Sequence, residues 1–214
     1  MSSTRVCLIH GAATTSRIWS GVVAALPAEW DVACPDRPAS GSLEVEIAAL
    51  TPLCQGAVVV GISGGATLVL ALATAGVAMK LAVAHEPAVG SLLPGLLAPM
   101  AAAYQRGGVD DFATTLYGPL WQPSMAPADT EAVARDLAMF RAFEPGTPAG
   151  VAPLITVGEF SPPIRREAAD ALAARFGMPV AVVPGVGHAA HVEAPTAFAD
   201  FITAAVTERI PGLR

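Results

Sequence analysis

Gly61-Ile62-Ser63-Gly64-Gly65 is the stretch whose residue types and spacing could do chemistry. It follows the β-branched run Ala57-Val58-Val59-Val60 and opens an alanine- and leucine-rich segment over 66–79, an order that reads as strand, sharp turn, helix. A serine in such a turn sits on a strained backbone that lifts its hydroxyl clear of the sheet. Gly61 and Gly65 lack the Cβ atoms that would collide as strand and helix close together. The helix that starts at Gly64 aims its N-terminal N–H groups at any oxyanion forming on an attacked carbonyl. The chemistry on offer is nucleophilic attack by Ser63. The bland reading of the same residue is a helix-capping serine, since glycine and serine abound in turns.

The elements that must position Ser63 follow from the rest of the chain. The strand 5–9 ends at His10-Gly11-Ala12-Ala13, and a helix over 14–26 with Trp19 and Val22 on its apolar face is stopped by Pro27. A second strand, 30–34, leads through Pro35-Asp36-Arg37-Pro38 to a helix over 43–53 capped by Ser42. After the serine turn and its helix, a fourth strand over 80–84 ends at His85-Glu86-Pro87. The alternation then fails over 88–150, where prolines, glycines and the aromatics Tyr104, Phe112, Tyr117, Trp121, Phe140 and Phe143 gather; an insertion at that strand's C-terminal end reads as a helical lid over a pocket. Strand 151–157, helix 163–176, strand 179–183, the turn Gly185-Val186-Gly187-His188 and helix 194–210 complete the chain. The expected fold is α/β, a doubly wound, mostly parallel six-stranded sheet, with 1–87 and 151–214 as core and 88–150 as lid.

Composition narrows the partners. The 214 residues suit one domain, 53% of them are apolar, and the net charge is −6. A basic face for phosphate is missing, which excludes nucleic acid, and no cationic cluster is placed to meet a membrane. The uncharged run 51–79 is long enough to span a bilayer, but Pro52, Gln55 and the glycine turn break it into shorter elements. The start of the chain has no basic region followed by an apolar core, so a cytoplasmic location is expected. Cys7, Cys34 and Cys54 have neither CxxC nor metal-ligand spacing and read as buried free thiols. No metal and no cofactor is expected.

Four pieces in order, His10-Gly11 with Trp19 downstream, the Ser63 turn, Gly187-His188 after the last strand, and Glu193-Ala194-Pro195-Thr196-Ala197-Phe198 opening the last helix, resemble the α/β-hydrolase superfamily. The likeness is to its small, lid-bearing esterases, lactonases and enol-lactone hydrolases. It departs in two places: the usual N-terminal strand pair is absent, and the usual aspartate after the fifth strand is replaced by Ser161. The resemblance implies His188 as the base that activates Ser63, with His191 as fallback, His10 shaping the loop beside it, and the N–H groups of Ala12 and Gly64 as oxyanion hole. The triad acid stays open. Glu86 is the first choice because it ends the strand after the Ser63 helix; Glu159 and then Asp36 are alternatives, as is a dyad with Ser161 or water behind the histidine.

The expected activity is hydrolysis of an ester or lactone through an acyl-enzyme on Ser63. The lid aromatics, with Tyr104, Tyr117 and Trp121 as substrate contacts, and Met100, Met125 and Met139 suggest a small, largely apolar substrate. A lyase or cyclase step using Ser63 and His188 as acid and base is the alternative, and a non-catalytic ligand receptor on the same scaffold is a second. Serine rather than aspartate in the turn disfavours dehalogenase and epoxide-hydrolase chemistry, and Lys80, the only lysine, lies outside the lid. A monomer and a homodimer are equally expected.

Overall fold

The computed structural model describes residues 3–210. The strands β1 (Arg5–Ile9), β2 (Asp31–Ala33), β3 (Val58–Ile62), β4 (Leu81–His85), β5 (Leu154–Gly158) and β6 (Val180–Val183) form one sheet in the order β2-β1-β3-β4-β5-β6, every neighbouring pair parallel. Between them run the helices α1 (Ser20–Ala25), α2 (Leu43–Cys54), α3 (Gly64–Thr74), α4 (Ala98–Tyr117), α5 (Ala132–Ala142), α6 (Pro163–Phe176), α7 (Ala190–Glu193) and α8 (Pro195–Arg209).

The two-residue period of a strand divides the interior in two. Val6 and Leu8 of β1 and Val58, Val60 and Ile62 of β3 face the core closed by α1 and α8, where Trp19, Phe198 and Ile202 are fully buried. Cys7, Ile9 and Val59 point the other way, into the larger core shared with α3, α6 and the α4–α5 segment. Because both faces are covered, the strands read as continuous apolar runs rather than alternating ones.

Several boundaries differ from those the sequence suggests, each for a local reason. The first helix is shorter: Thr14 turns back to hydrogen-bond the Gly11 carbonyl at 3.1 Å, and a 3₁₀ turn over Ser16–Trp19 precedes α1. Helix α3 stops at Thr74 because Gly76 takes φ +78° and the Val77 N–H returns to the Leu72 carbonyl at 3.1 Å, a Schellman closure. The uncharged run 51–79 is thereby split among α2, β3 and α3, and no helix among the described residues is long and apolar enough to cross a membrane. Inside α4, Gly107 (φ −144°, ψ 23°) and Gly108 (φ 64°, ψ −140°) leave helical geometry and bend the helix in two.

Candidate active site

The parallel sheet delivers its loops to one edge. Ser63 follows β3, Glu86 follows β4, Ser161 lies just beyond β5 and His188 beyond β6, so residues far apart in sequence converge at the strands' C-terminal ends. Ser63 has φ 55° and ψ −119°, a conformation that side chains rarely adopt. Its cost is met by the backbone around it: the Ser63 N–H donates to the His85 carbonyl at 2.8 Å and the Thr67 N–H to the Ser63 carbonyl at 3.0 Å. A Cβ at Gly61 would strike the Gly65 carbonyl, and one at Gly65 would strike the Ile9 carbonyl, so only glycine lets α3 leave β3 at this angle.

His188 Nδ1 donates to Glu86 Oε2 at 2.7 Å, and both side chains are buried. That bond fixes the tautomer, leaving Nε2 as the unprotonated nitrogen, and Nε2 is buried with no hydrogen-bond partner among the described residues. Glu86 itself sits at φ 53°. Its Oε1 accepts from the Gly158 N–H at 2.9 Å and from the Ser161 hydroxyl, and Arg165 Nε lies 3.6 Å from Oε2. Burial alone would raise the Glu86 pKa, but the hydrogen bond and charge of His188, with His85 and Arg165, hold it well below the ordinary carboxylate range. Burial, aided by the Arg165 charge, lowers His188 to about 4 against the pull of Glu86. His188 is therefore a neutral base from weakly acid pH upward, and the acid limb of kcat/KM is expected at a pH of about 4 instead of the 6.5 of a free imidazole, read from a pH–rate profile on a small activated ester.

His85 ties the loop down from below. Its Nε2 donates to the Gly187 carbonyl at 3.2 Å while its Nδ1 accepts from the Thr156 hydroxyl at 3.0 Å.

On the other side of Ser63 stands the loop after β1. A Cβ on Gly64 would sit 3.3 Å from the Ala12 nitrogen, so the loop after β1 and the start of α3 lie side by side. The Gly64 N–H, first of α3, has no partner within its helix. His10 Nδ1 donates to the Gly11 carbonyl at 2.9 Å, and its Nε2 accepts from the Arg37 N–H at 3.2 Å. Burial lowers His10 to about 3, so it stays neutral.

Sequence reasoning missed the residue that does most to hold this loop. Arg37, buried, donates through Nε to the His10 carbonyl at 3.0 Å and through Nη2 to the Gly11 carbonyl at 3.1 Å. The same guanidinium binds Asp136 of α5 at 2.6 Å and reaches Glu46 of α2 at 3.4 Å, and it lies 5.8 Å above the Phe140 ring. Arg37→Met should strand two buried carboxylates, costing about 3–5 kcal/mol of stability in denaturant unfolding. It should also lower kcat more than tenfold, on the order expected when a carbonyl-binding loop loses its register.

A small apolar cavity of about 20 Å³ opens beside Ser63. Leu97, Met100, Phe112 and Leu116 of the α4 region and Leu137 and Phe140 of α5 line it opposite Ala12, Gly64, Glu86 and Arg165. Tyr104, Tyr117 and Trp121, named as substrate contacts from sequence, are not in that lining. Tyr117 Oη donates to the Ala12 carbonyl at 2.7 Å and Trp121 Nε1 to the Ala13 carbonyl at 3.0 Å, so the two rings clamp the loop after β1. Tyr104 packs edge-on against Phe112 with centroids 6.3 Å apart. Neither Glu159 nor Asp36 bonds His188, and His191 makes no bond to Glu86. Glu159 is exposed and accepts from the Gly185 N–H at 2.8 Å; Asp36 accepts from the Ser16 N–H at 2.7 Å. His191 is buried between Trp19 and Tyr117, with neither ring nitrogen bonded to any of the described residues.

Burial makes these histidines a liability in acid. Their folded pKa values are depressed, so on acidification the unfolded chain takes up protons first, and stability is lost as pH falls from about 6.5 toward 4. Glu86 adds a loss below its ordinary range, since its folded form also resists protonation. His10 and His188 should each cost about 2 kcal/mol at pH 5, checked by denaturant unfolding from pH 8 to 5.

Residues 8–201 match the model of the alpha/beta hydrolase family. Among solved structures, the chain is similar to the enol-lactonase from Burkholderia xenovorans LB400, with 18% identity and a TM-score of 0.73 over 97% of this chain and 90% of that one. It is similar also to a thermophilic esterase from Thermogutta terrifontis, at 21% identity and TM-score 0.72 over 97% and 90%, and to MenH from S. aureus, at 17% and 0.72 over 98% and 96%. No curated protein matches the chain in sequence.

Proposed function

The chain belongs to the α/β-hydrolase family, and from that premise we propose that it is a serine hydrolase cleaving an ester or lactone of a small, largely apolar substrate. The observation that carries this reading is His188, anchored by Nδ1 on Glu86 and presenting a buried, unpartnered Nε2 at the sheet edge where Ser63 is held. In the proposed reaction Nε2 takes the Ser63 proton as Oγ attacks the carbonyl carbon. The Ala12 and Gly64 N–H groups receive the oxyanion, and the imidazolium returns its proton to the departing alkoxide. A water then repeats the sequence on the acyl-enzyme, and Glu86 stays ionised throughout to stabilise the imidazolium. The esterases and lactonases among the structural neighbours agree with this chemistry.

In the same reading residues 1–87 and 151–214 are the hydrolase core, and 88–150 is a lid whose α4 and α5 side chains form the cavity roof. The three free thiols suit a reducing cytoplasm. A fluorophosphonate probe followed by intact mass tests the proposal: one adduct is expected on the wild type and none on Ser63→Ala or His188→Ala. A folded wild-type sample that takes up no probe would overturn it.

A further inference from the structure

Arg165 stands out once every buried charge is assigned a partner. Arg37 binds two carboxylates and two carbonyls. Arg165 is also buried, with 9% of its side chain exposed, yet its guanidinium makes no hydrogen bond to any described residue. Its one ionic neighbour is Glu86, where Nε stops 3.6 Å from Oε2, and that carboxylate is already occupied by His188, Ser161 and the Gly158 N–H. A guanidinium carries five donors in a planar fork, and one that meets no protein acceptor leaves them free for a ligand. The residue also lines the Ser63 cavity, whose other walls are almost wholly apolar.

Resting on the reading of this cavity as the substrate pocket, we propose that Arg165 is a carboxylate-binding residue and that the substrate is an ester or lactone bearing one carboxylate remote from its scissile carbonyl. At rest Glu86 and Arg165 offset each other and His188 is neutral. Proton transfer from Ser63 to His188 forms imidazolium and oxyanion together and leaves the net charge unchanged, so a single substrate carboxylate adds one negative charge, which the free donors of the Arg165 fork meet directly. A doubly charged phosphate would instead leave excess negative charge among Leu97, Phe112 and Leu137. The fork's planar geometry suits the two oxygens of a carboxylate.

The test compares p-nitrophenyl hemiglutarate with p-nitrophenyl pentanoate, which differ by a terminal carboxylate in place of a methyl. The wild type is expected to show at least tenfold higher kcat/KM on the hemiglutarate. In Arg165→Met the preference for the hemiglutarate, read as the ratio of the two kcat/KM values, should fall about 30-fold, the scale of a lost charge-assisted pair. Arg165→Lys, which keeps the charge and loses the fork, should recover part of the difference. Equal losses of kcat/KM on both esters, or a wild-type preference for the pentanoate, would overturn the proposal and leave Arg165 as a positioning residue for Glu86. Should neither ester turn over, hydrolysis fails on its own and titration decides: hexanoate binding to the wild type but not to Arg165→Met upholds the carboxylate site, and hexanoate binding no better than hexanamide removes it.

Discussion

Ser63→Ala and His188→Ala are each expected to lower kcat by about 10⁶-fold on any ester the wild type cleaves, with the double variant no slower than either single one. In the proposed mechanism the two residues perform one act. Without Nε2 to receive the proton the hydroxyl remains a weak nucleophile, and without the hydroxyl the buried, low-pKa imidazole has nothing to deprotonate. What remains is the contribution of the Ala12 and Gly64 N–H groups, which still polarise a bound carbonyl toward water and should keep the variants about 10³-fold above the uncatalysed rate. KM should change little, since neither residue supplies much of the apolar contact made by Met100, Phe112 and Phe140. Single-turnover rates across the four proteins check this. Losses that multiply in the double variant would mean two independent acid–base roles, the behaviour of a lyase step.

Where sequence and structure coincide, local rules act alone. The turn at Ser63 needs glycine on both sides for backbone clearance, and that demand is written in five consecutive residues. The four central strands, buried on both faces, leave apolar runs that any reading of periodicity finds. What local rules do not carry is the pairing of charges across long intervals. Arg37 stands in a turn that looks like an ordinary loop, and nothing near it in sequence says that it will meet Asp136. A trace was nevertheless present. Asp136 interrupts the apolar stripe Val133, Leu137, Phe140 of α5, and Glu46 falls in line with Leu50 and Cys54 on α2. Carboxylates on two buried stripes require a buried cation, and all but one of the chain's Lys and Arg residues are arginines. The aromatic residues misled for a related reason: Tyr117 and Trp121 carry a polar atom at the end of an apolar body, so the need to satisfy Oη and Nε1 drew them to the loop carbonyls and left the cavity to leucine, methionine and phenylalanine.

Glu86→Gln is expected to lower kcat by about 10³–10⁴-fold while leaving KM and the fold nearly unchanged. The amide would donate to His188 Nδ1 in place of accepting from it, which moves the ring proton to Nε2 and turns the base away from Ser63. Loss of the charge also removes the group that stabilises the imidazolium. Ser161 allows a sharper version of this experiment. Its hydroxyl is bonded to Glu86 Oε1, so the tip of a slightly longer side chain at 161 would enter the space the Glu86 carboxylate now fills. Glu86→Ala combined with Ser161→Asp should therefore recover at least tenfold of the kcat lost in Glu86→Ala, with the new carboxylate accepting from Gly158 N–H and His188 Nδ1 as the old one does. Ser161→Asp with Glu86 retained should do the opposite. Two carboxylates in contact cannot both stay ionised cheaply, so one pKa rises, and both stability and the neutral-pH rate fall. Recovery by Ser161→Asn as large as by Ser161→Asp would show that polarity and not charge was restored, and would remove Glu86 from the role of acid.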